Sequence, residues 1–473
     1  MSRINTNVSS IIAQRVLGQQ NARLNQSLQH LSTGLRINTG KDDPAGLIAS
    51  ETMRAEMRAI QAAQTNISRA TNVVAVAESG LAEVHRLLND LEDLVDRTSN
   101  EAGISVEERN ANQQEIDLIL SSINRIANST ELQGRRLLSG DLAYSASAVN
   151  STQVTDLRIN SARVPEGGTR VVNIEVLVSA QLAAVNYTGG VVGSAQTIEI
   201  TGNLGTERIT LASGATTANL VSAVNMSKHL TGVSATRINA TSAVFNSTSY
   251  GSTQYVKVRV LSGTDFAAGL GGTLVEDTGQ DVRVNINGQS VTGNGLKVSV
   301  RNSIIDADIT LSPTFATQLA TDSTFGITGG GARFMVSPKL DLNSLASIGI
   351  SSVTTANLGD GNVGYLYSLG TGEANAMSER NFFTAQRIVR AAQQQVANLR
   401  GRLGSFQKNT LETTAASLRI QYENVASAES TIRDTDFAEE TSNLTRSQIL
   451  VQSATNVLRL SNAAPQQVLA LLQ

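Results

Sequence analysis

Met53, Ile60, Ile67, Val74, Leu81, Leu88 and Val95 recur at intervals of seven without a miss. Between them Ala63, Ala70, Ala77, Val84 and Leu91 complete a three-four alternation, the seam of a coiled-coil helix. Each Leu or Ile on such a seam stabilises by about 1.5 to 3 kcal/mol, but only once a partner covers it. A chain with this run must therefore bring a second long helix alongside, and the position of that helix decides the architecture.

The partner lies at the opposite end of the 473 residues. Val389, Ala392, Val396, Leu399, Leu403 and Phe406 repeat the alternation, so the two ends are expected to meet in an antiparallel bundle. A further N-terminal seam runs through Leu17, Asn21, Leu24, Leu28, Leu31 and Leu35, with Asn21 expected to fix its register. Another helix is expected to start at Ser105, whose spacing to Glu108 is that of a capping box, and to place Ile116, Ile119, Ile123 and Ile126 on one face. Between the helical ends, Thr, Ser, Gly and Val dominate. There the period drops to two over Thr169 to Val178, Gln254 to Leu261 and Asp281 to Asn287, and Asn287-Gly288 reads as a hairpin turn. The fold class is α+β multidomain, an antiparallel coiled-coil helical bundle made from both chain ends with an inserted mainly-β domain. The division expected is a terminal coiled coil (1–44 with 432–473), a helical bundle (45–175 with 346–431) and a β-rich insertion (176–345).

The last stretch carries more apolar surface than one partner needs. Leu450, Ala454, Val457, Ala464, Val468 and Leu471 form one stripe, with Phe437, Leu444, Val451 and Leu458 at successive sevens beside it. A wide apolar face on a terminal helix is expected to be covered by other subunits, which makes Leu17, Leu24, Leu28, Leu31, Leu35, Leu450, Val457, Val468 and Leu471 the candidate polymerisation stripes. The competing arrangement is an intrachain pair between this stretch and residues 8 to 35.

Composition narrows the function classes. A net charge of -3 gives no broad basic field, so neither nucleic acid nor anionic lipid is expected as a partner. Without cysteine there are no disulfides or thiolate metal sites. No apolar run approaches the roughly 18 residues of a membrane helix, and the first residues lack the basic and apolar regions of a signal peptide. Membrane insertion is not expected, and export would need a dedicated machine. His30, His85 and His229 are scattered, with no H-E-x-x-H pair, so no metal is expected. Gly359-Asp-Gly-Asn-Val-Gly364 matches G-x-G-x-x-G but opens no amphipathic helix; its glycines are expected to relax turns, and no cofactor or catalytic residue is assigned.

The run from Leu31 to Gly46 (LSTGLRINTGKDDPAG), following Ile4-Asn-Thr-Asn7, resembles the N-terminal signature of bacterial flagellins. Ile432-Arg-Asp-Thr-Asp-Phe-Ala-Glu-Glu440, Ser447-Gln-Ile-Leu450 and Pro465-Gln-Gln-Val-Leu469 are similar to that family's C-terminal signature. Ile198 to Arg237 also looks like a small repeat inserted in flagellins and hook proteins. The resemblance implies a non-enzymatic, secreted structural subunit that polymerises into the helical filament for motility. Paired terminal helices would form its inner tubes, and the insertion would project outward. It further implies export unfolded through the type III channel, an export chaperone over the C-terminal stripe, and contacts with hook-associated junction and cap proteins. Two other readings share the helical ends: a hook-filament junction protein, and a secreted adhesin whose function lives in the insertion.

Flagellins often carry a patch read by an innate Toll-like receptor, and the matching stretch is Leu88-Asn-Asp-Leu-Glu-Asp-Leu-Val95 with Glu115. Leu88, Leu94 and Glu115 are retained. Asp90 stands where the family has its central basic residue, and Asn89, Glu92 and Asp93 make the stretch acidic, so receptor recognition is expected to be weak or absent.

Overall fold

The computed structural model describes residues 6–100, 103–165, 168–302, 304–339, 341, 344–361 and 363–470, with side chains to residue 463. Two compact units share the chain. One comprises Met1–Ile67, Val336–Leu340 and Glu412–Gln473; the other comprises Ser68–Met335 and Asp341–Leu411.

In the first unit, α1 (Val8–Thr33) opens on Asn7, whose side-chain oxygen accepts from the Ser10 N–H at 3.0 Å. It ends on Gly34 in the left-handed region (φ 73°), where a Cβ would be strained, with the Gly34 N–H donating to the His30 carbonyl at 2.8 Å. The C-terminal helix, Phe437–Ala470, runs back along it. The Leu35–Asp434 bridge and the Thr435 N–H on the Gly34 carbonyl (3.0 Å) close one end. At the other, Ser10 Oγ donates to Asn462 Oδ1 at 2.7 Å. The intrachain pair is therefore present.

α2 (Pro44–Thr98) is 55 residues long, about 80 Å at 1.5 Å per residue. Its early turns belong to the first unit, where Ile60, Ala63 and Ile67 are buried and Met53 is half-buried. There Glu56 accepts from Gln421 (3.3 Å), Tyr422 Oη accepts from Gln61 (3.1 Å), and Glu51 pairs with Arg433 (2.9 Å), so the helix Thr413–Arg433 lies antiparallel to it.

In the second unit every remaining seam residue of α2, from Ala70 to Val95, is buried. α3 (Val106–Ser129) begins where expected, with Ser105 Oγ accepting from the Glu108 N–H at 3.1 Å. Of its apolar face Ile116, Ile119 and Ile123 are buried and Ile126 half-buried. A long helix, Phe382–Phe406, lies antiparallel to α2: Arg400 pairs with Glu78 (2.8 Å), Arg390 with Glu92 (2.9 Å), and Gln386 donates to Asp96 (2.8 Å). A π-helical turn, Gln407–Glu412, follows it.

The strands of the middle build two apolar cores in place of one. The first packs a five-stranded antiparallel sheet against a three-stranded one. Label its strands β1 (Tyr144–Ser147), β2 (Val154–Ala162) and β3 (Arg170–Val178); β4 (Gln196–Gly202) and β5 (Tyr255–Ser262) belong elsewhere, and β6 (Arg283–Ile286), β7 (Gln289–Thr292), β8 (Lys297–Arg301), β9 (Ile305–Leu311) and β10 (Asp322–Gly330) complete it. The sheet orders are β7-β6-β3-β10-β1 and β8-β9-β2, around Val172, Ile174, Val284, Ile309 and Phe325. Asn287 and Gly288, at φ 48° and 89°, form the expected two-residue turn between β6 and β7. The second core gathers β4 and β5 with their neighbours around Ile198, Ile200, Phe245 and Val258, and the rings of Tyr187 and Phe266 stack at 4.4 Å. Within it Ile198 to Arg237 forms a hairpin, the helix Thr217–Met226 and a strand.

Candidate functional site on the terminal helix pair

We label the helices after α3 that matter here α4 (Phe382–Phe406), α5 (Thr413–Arg433) and α6 (Phe437–Ala470). On α1 the residues turned to α6 are Ser10, Ala13, Leu17, Gln20, Leu24, Ser27 and Leu31, all buried or half-buried and spaced three-four throughout. On α6 the answering residues are Glu440, Leu444, Ser447, Val451, Ala454, Leu458 and Ser461. The seam is thus one line over from the expected one. Asn21 and Leu28 are exposed, and Gln20 and Ser27 take the positions expected for them, so Asn21 fixes no register within the chain.

This seam is poor in apolar bulk. Ser10, Ala13, Ser27, Ser447 and Ala454 are its most buried members, while Leu17, Leu24, Leu31, Leu444, Val451 and Leu458 are only half-buried. Burial stabilises in proportion to apolar area, so such a seam holds two helices weakly. His30, buried at the last turn of α1, has Nδ1 3.6 Å from Glu440 Oε2.

The bulk faces outward. Ile11, Ile12 and Val16 on α1, and Ile449, Leu450, Val457 and Leu460 on α6, are exposed, Leu460 at 71% and Val457 at 52%. Ile12, Val16, Leu450 and Val457 line one apolar groove of about 450 Å³ between the helices, with Ala13, Gln20 and Ala454 at its floor. Among the described residues Gln20 Oε1, buried there, has no hydrogen-bond partner. Of the candidate stripe residues, Leu28, Leu450 and Val457 stand on the exposed faces; Leu17, Leu24 and Leu31 lie in the seam and Leu35 is half-buried beside it. The Val468 side chain and Leu471 lie outside the described residues. Gln20 was hidden from sequence reasoning because a polar residue in a seam leaves no periodic signal.

The profile of the bacterial flagellin N-terminal helical region matches residues 4–143, and that of the bacterial flagellin C-terminal helical region matches residues 387–472. The chain belongs to the bacterial flagellin family. Flagellin B of Helicobacter pylori is 25% identical over 516 residues, covering 100% of this chain and 99% of its own. Flagellin A of Vibrio cholerae is 26% identical over 484 residues, covering 99% of each. Among solved structures, a flagellar hook associated protein-3 from Legionella pneumophila has a TM-score of 0.32 at 13% identity, over 81% of this chain and 98% of its own. As a flagellin, the chain is a structural subunit that polymerises into the extracellular flagellar filament for motility.

The other sequence candidates fall in the second unit. Leu88 and Leu94 are buried, at 0% and 5% exposure, and so present no surface. Asn89 and Glu115 are exposed. Within the stretch Asp90 pairs with Arg86 at 2.7 Å and Glu92 with Arg390 at 2.9 Å. Hydrogen bonds from Arg390 first, then Gln393, hold the Glu92 carboxyl below its ordinary value against the opposing effect of burial. Among the described residues the buried His85 Nδ1 has no hydrogen-bond partner, and His229 stacks on Phe383 at 6.2 Å. Gly359 and Gly364, at φ 128° and 122°, turn a short hairpin whose Gly359 N–H donates to Gln395 Oε1 at 3.1 Å.

Proposed function

We propose that the outward faces of α1 and α6 are the surface through which neighbouring subunits complete the filament core. The observation that carries this reading is the groove lined by Ile12, Val16, Leu450 and Val457, apolar and open to solvent. Full burial of such a Val, Leu or Ile stabilises by about 1.5 to 3 kcal/mol, so a few filled by neighbours outweigh the weak intrachain seam. Leu28 extends the same surface, while Leu17, Leu24, Leu31 and Leu35 orient it by holding α1 on α6. Contacts that repeat head to tail without closing grow an open helix.

The functional division proposed is a terminal coiled coil (1–44 with 432–473), a bundle (45–175 with 346–431) and an outer insertion (176–345), with the strands from Tyr144 to Val178 packing in the first β core. An export chaperone covering Leu450 and Val457 would keep exported subunits from assembling early, and export unfolded through the type III channel suits a seam this weak. Hook-associated junction and cap proteins would meet the same terminal surface. The chain has no catalytic role in this reading, and innate receptor recognition is weak because Asp90 opposes it.

Electron microscopy of purified protein seeded with filament fragments tests the proposal. The full chain should grow fibres, and a version ending before Ile449 should not.

A further inference from the structure

Away from the terminal helices, within the second unit, a cavity of about 400 Å³ opens between α4 and the β8-β9-β2 sheet. Four cations line it, Arg158, Lys297, Arg301 and Arg402, against two carboxylates, Asp156 and Asp308. Arg158 already has a carboxylate partner: Nε lies 2.8 Å from Asp156 Oδ2, and Nη2 donates to the Gly359 carbonyl at 3.0 Å. Asp308 already accepts from Ser299 Oγ (2.6 Å) and Asn160 Nδ2 (3.2 Å), and it reaches Arg301 only at 3.7 Å.

Arg402 is different. Among the described residues its partly buried guanidinium donates only to two main-chain carbonyls, Gly349 at 2.9 Å and Asn160 at 3.4 Å. Among the described residues neither Arg402 nor Lys297 has a carboxylate in ion-pair reach. Burial lowers the Arg402 pKa, while Asp306 and Asp308 act weakly the other way, so the site keeps a desolvated positive charge without a contact counter-charge. Tyr144 also lines the cavity, but its hydroxyl lies by Gly331 with no accessible surface, so the donors open to a ligand are those of Arg402 and Lys297.

We propose that this cavity binds phosphate, as the free ion or as the monoester of a small solute, between Arg402 and Lys297. Phosphate suits it better than a single carboxylate. The lining cations exceed the lining carboxylates by two, Asp306 offsets part of that excess, and phosphate carries between one and two negative charges at neutral pH. A bound phosphate bridges α4 to β8, bracing the helix on the sheet.

Isothermal titration calorimetry on the full chain, with inorganic phosphate and with glucose 6-phosphate at constant ionic strength, tests this. One saturable site per chain is expected for at least one probe, and the tighter of the two identifies free ion or ester. Each removed charge-assisted contact should weaken it roughly tenfold or more, so Lys297→Ala and Arg402→Met should both bind worse. Lys297 is exposed, so its variant keeps the test valid if Arg402→Met fails to fold. Absence of saturable binding by both probes, or parental affinity in Lys297→Ala, would overturn the proposal.

Discussion

The side-chain amide of Asn7 donates to the main-chain carbonyl of Ser461 at 2.7 Å, joining residues 454 positions apart. That carbonyl needs an outside donor. In a helix it would accept from the N–H four residues on, but residue 465 is proline and has none. One side chain thus fills a gap in α6 and pins the start of α1 to it.

Asn7→Ala should therefore loosen the pair, with a cost of about 1 kcal/mol in thermal or denaturant unfolding of the terminal helices. Pro465→Ala restores an internal donor, so Asn7→Ala should cost less in that background. A double-mutant cycle followed by circular dichroism measures the difference.

Gly80 sits in mid α2, where an added Cβ would lie 2.8 Å from both Leu138 Cδ1 and Thr130 Oγ1. Helix propensity alone favours Gly80→Ala by about 1 kcal/mol, whereas overpacking costs about 1 to 3 kcal/mol. Packing should win, and the variant should melt below the parent in calorimetry.

Glu92 gives the bundle an acid-sensitive contact. Its carboxyl pKa is lowered on folding, so the unfolded chain binds the proton more readily; the stabilisation is present above the ordinary value of 4.5 and is lost as pH falls through the lower folded value. Glu92→Gln should cost roughly 0.5 kcal/mol at neutral pH, as for a largely exposed pair, and nothing once both states are protonated. Unfolding curves of the two proteins across acidic pH should converge.

Asp90→Arg should raise innate-receptor signalling in a cell reporter assay, since it replaces the acidic residue and frees Arg86 from its 2.7 Å pair. An unchanged response would contradict the proposed role of Asp90 in receptor recognition.

The helices were legible because their signal is local. The sevenfold run of α2 is periodic over its whole length, and its companions from Ala63 to Leu91 proved buried as the alternation required. On α1 the same reasoning chose Asn21 and Leu28 over Gln20 and Ser27. Hydrophobicity marks every surface that leaves water, and it cannot tell a seam within the chain from a face kept for a neighbour. The two cores of the insertion were illegible for another reason. β3 pairs with β6 and β10, more than a hundred residues away, and period-two strands carry no mark of their partners. The groove itself needed Ile12 and Val16 beside Leu450 and Val457, a juxtaposition that only the antiparallel register creates.

Seeded assembly of a chain carrying Leu450→Asp and Val457→Asp tests the central claim most directly. Both positions are exposed, so the subunit should keep its helical circular dichroism, yet burying two unpaired carboxylates against neighbours should abolish fibre growth. Fibres growing at the parental rate from this variant would contradict the assignment of the α1–α6 groove as the assembly surface.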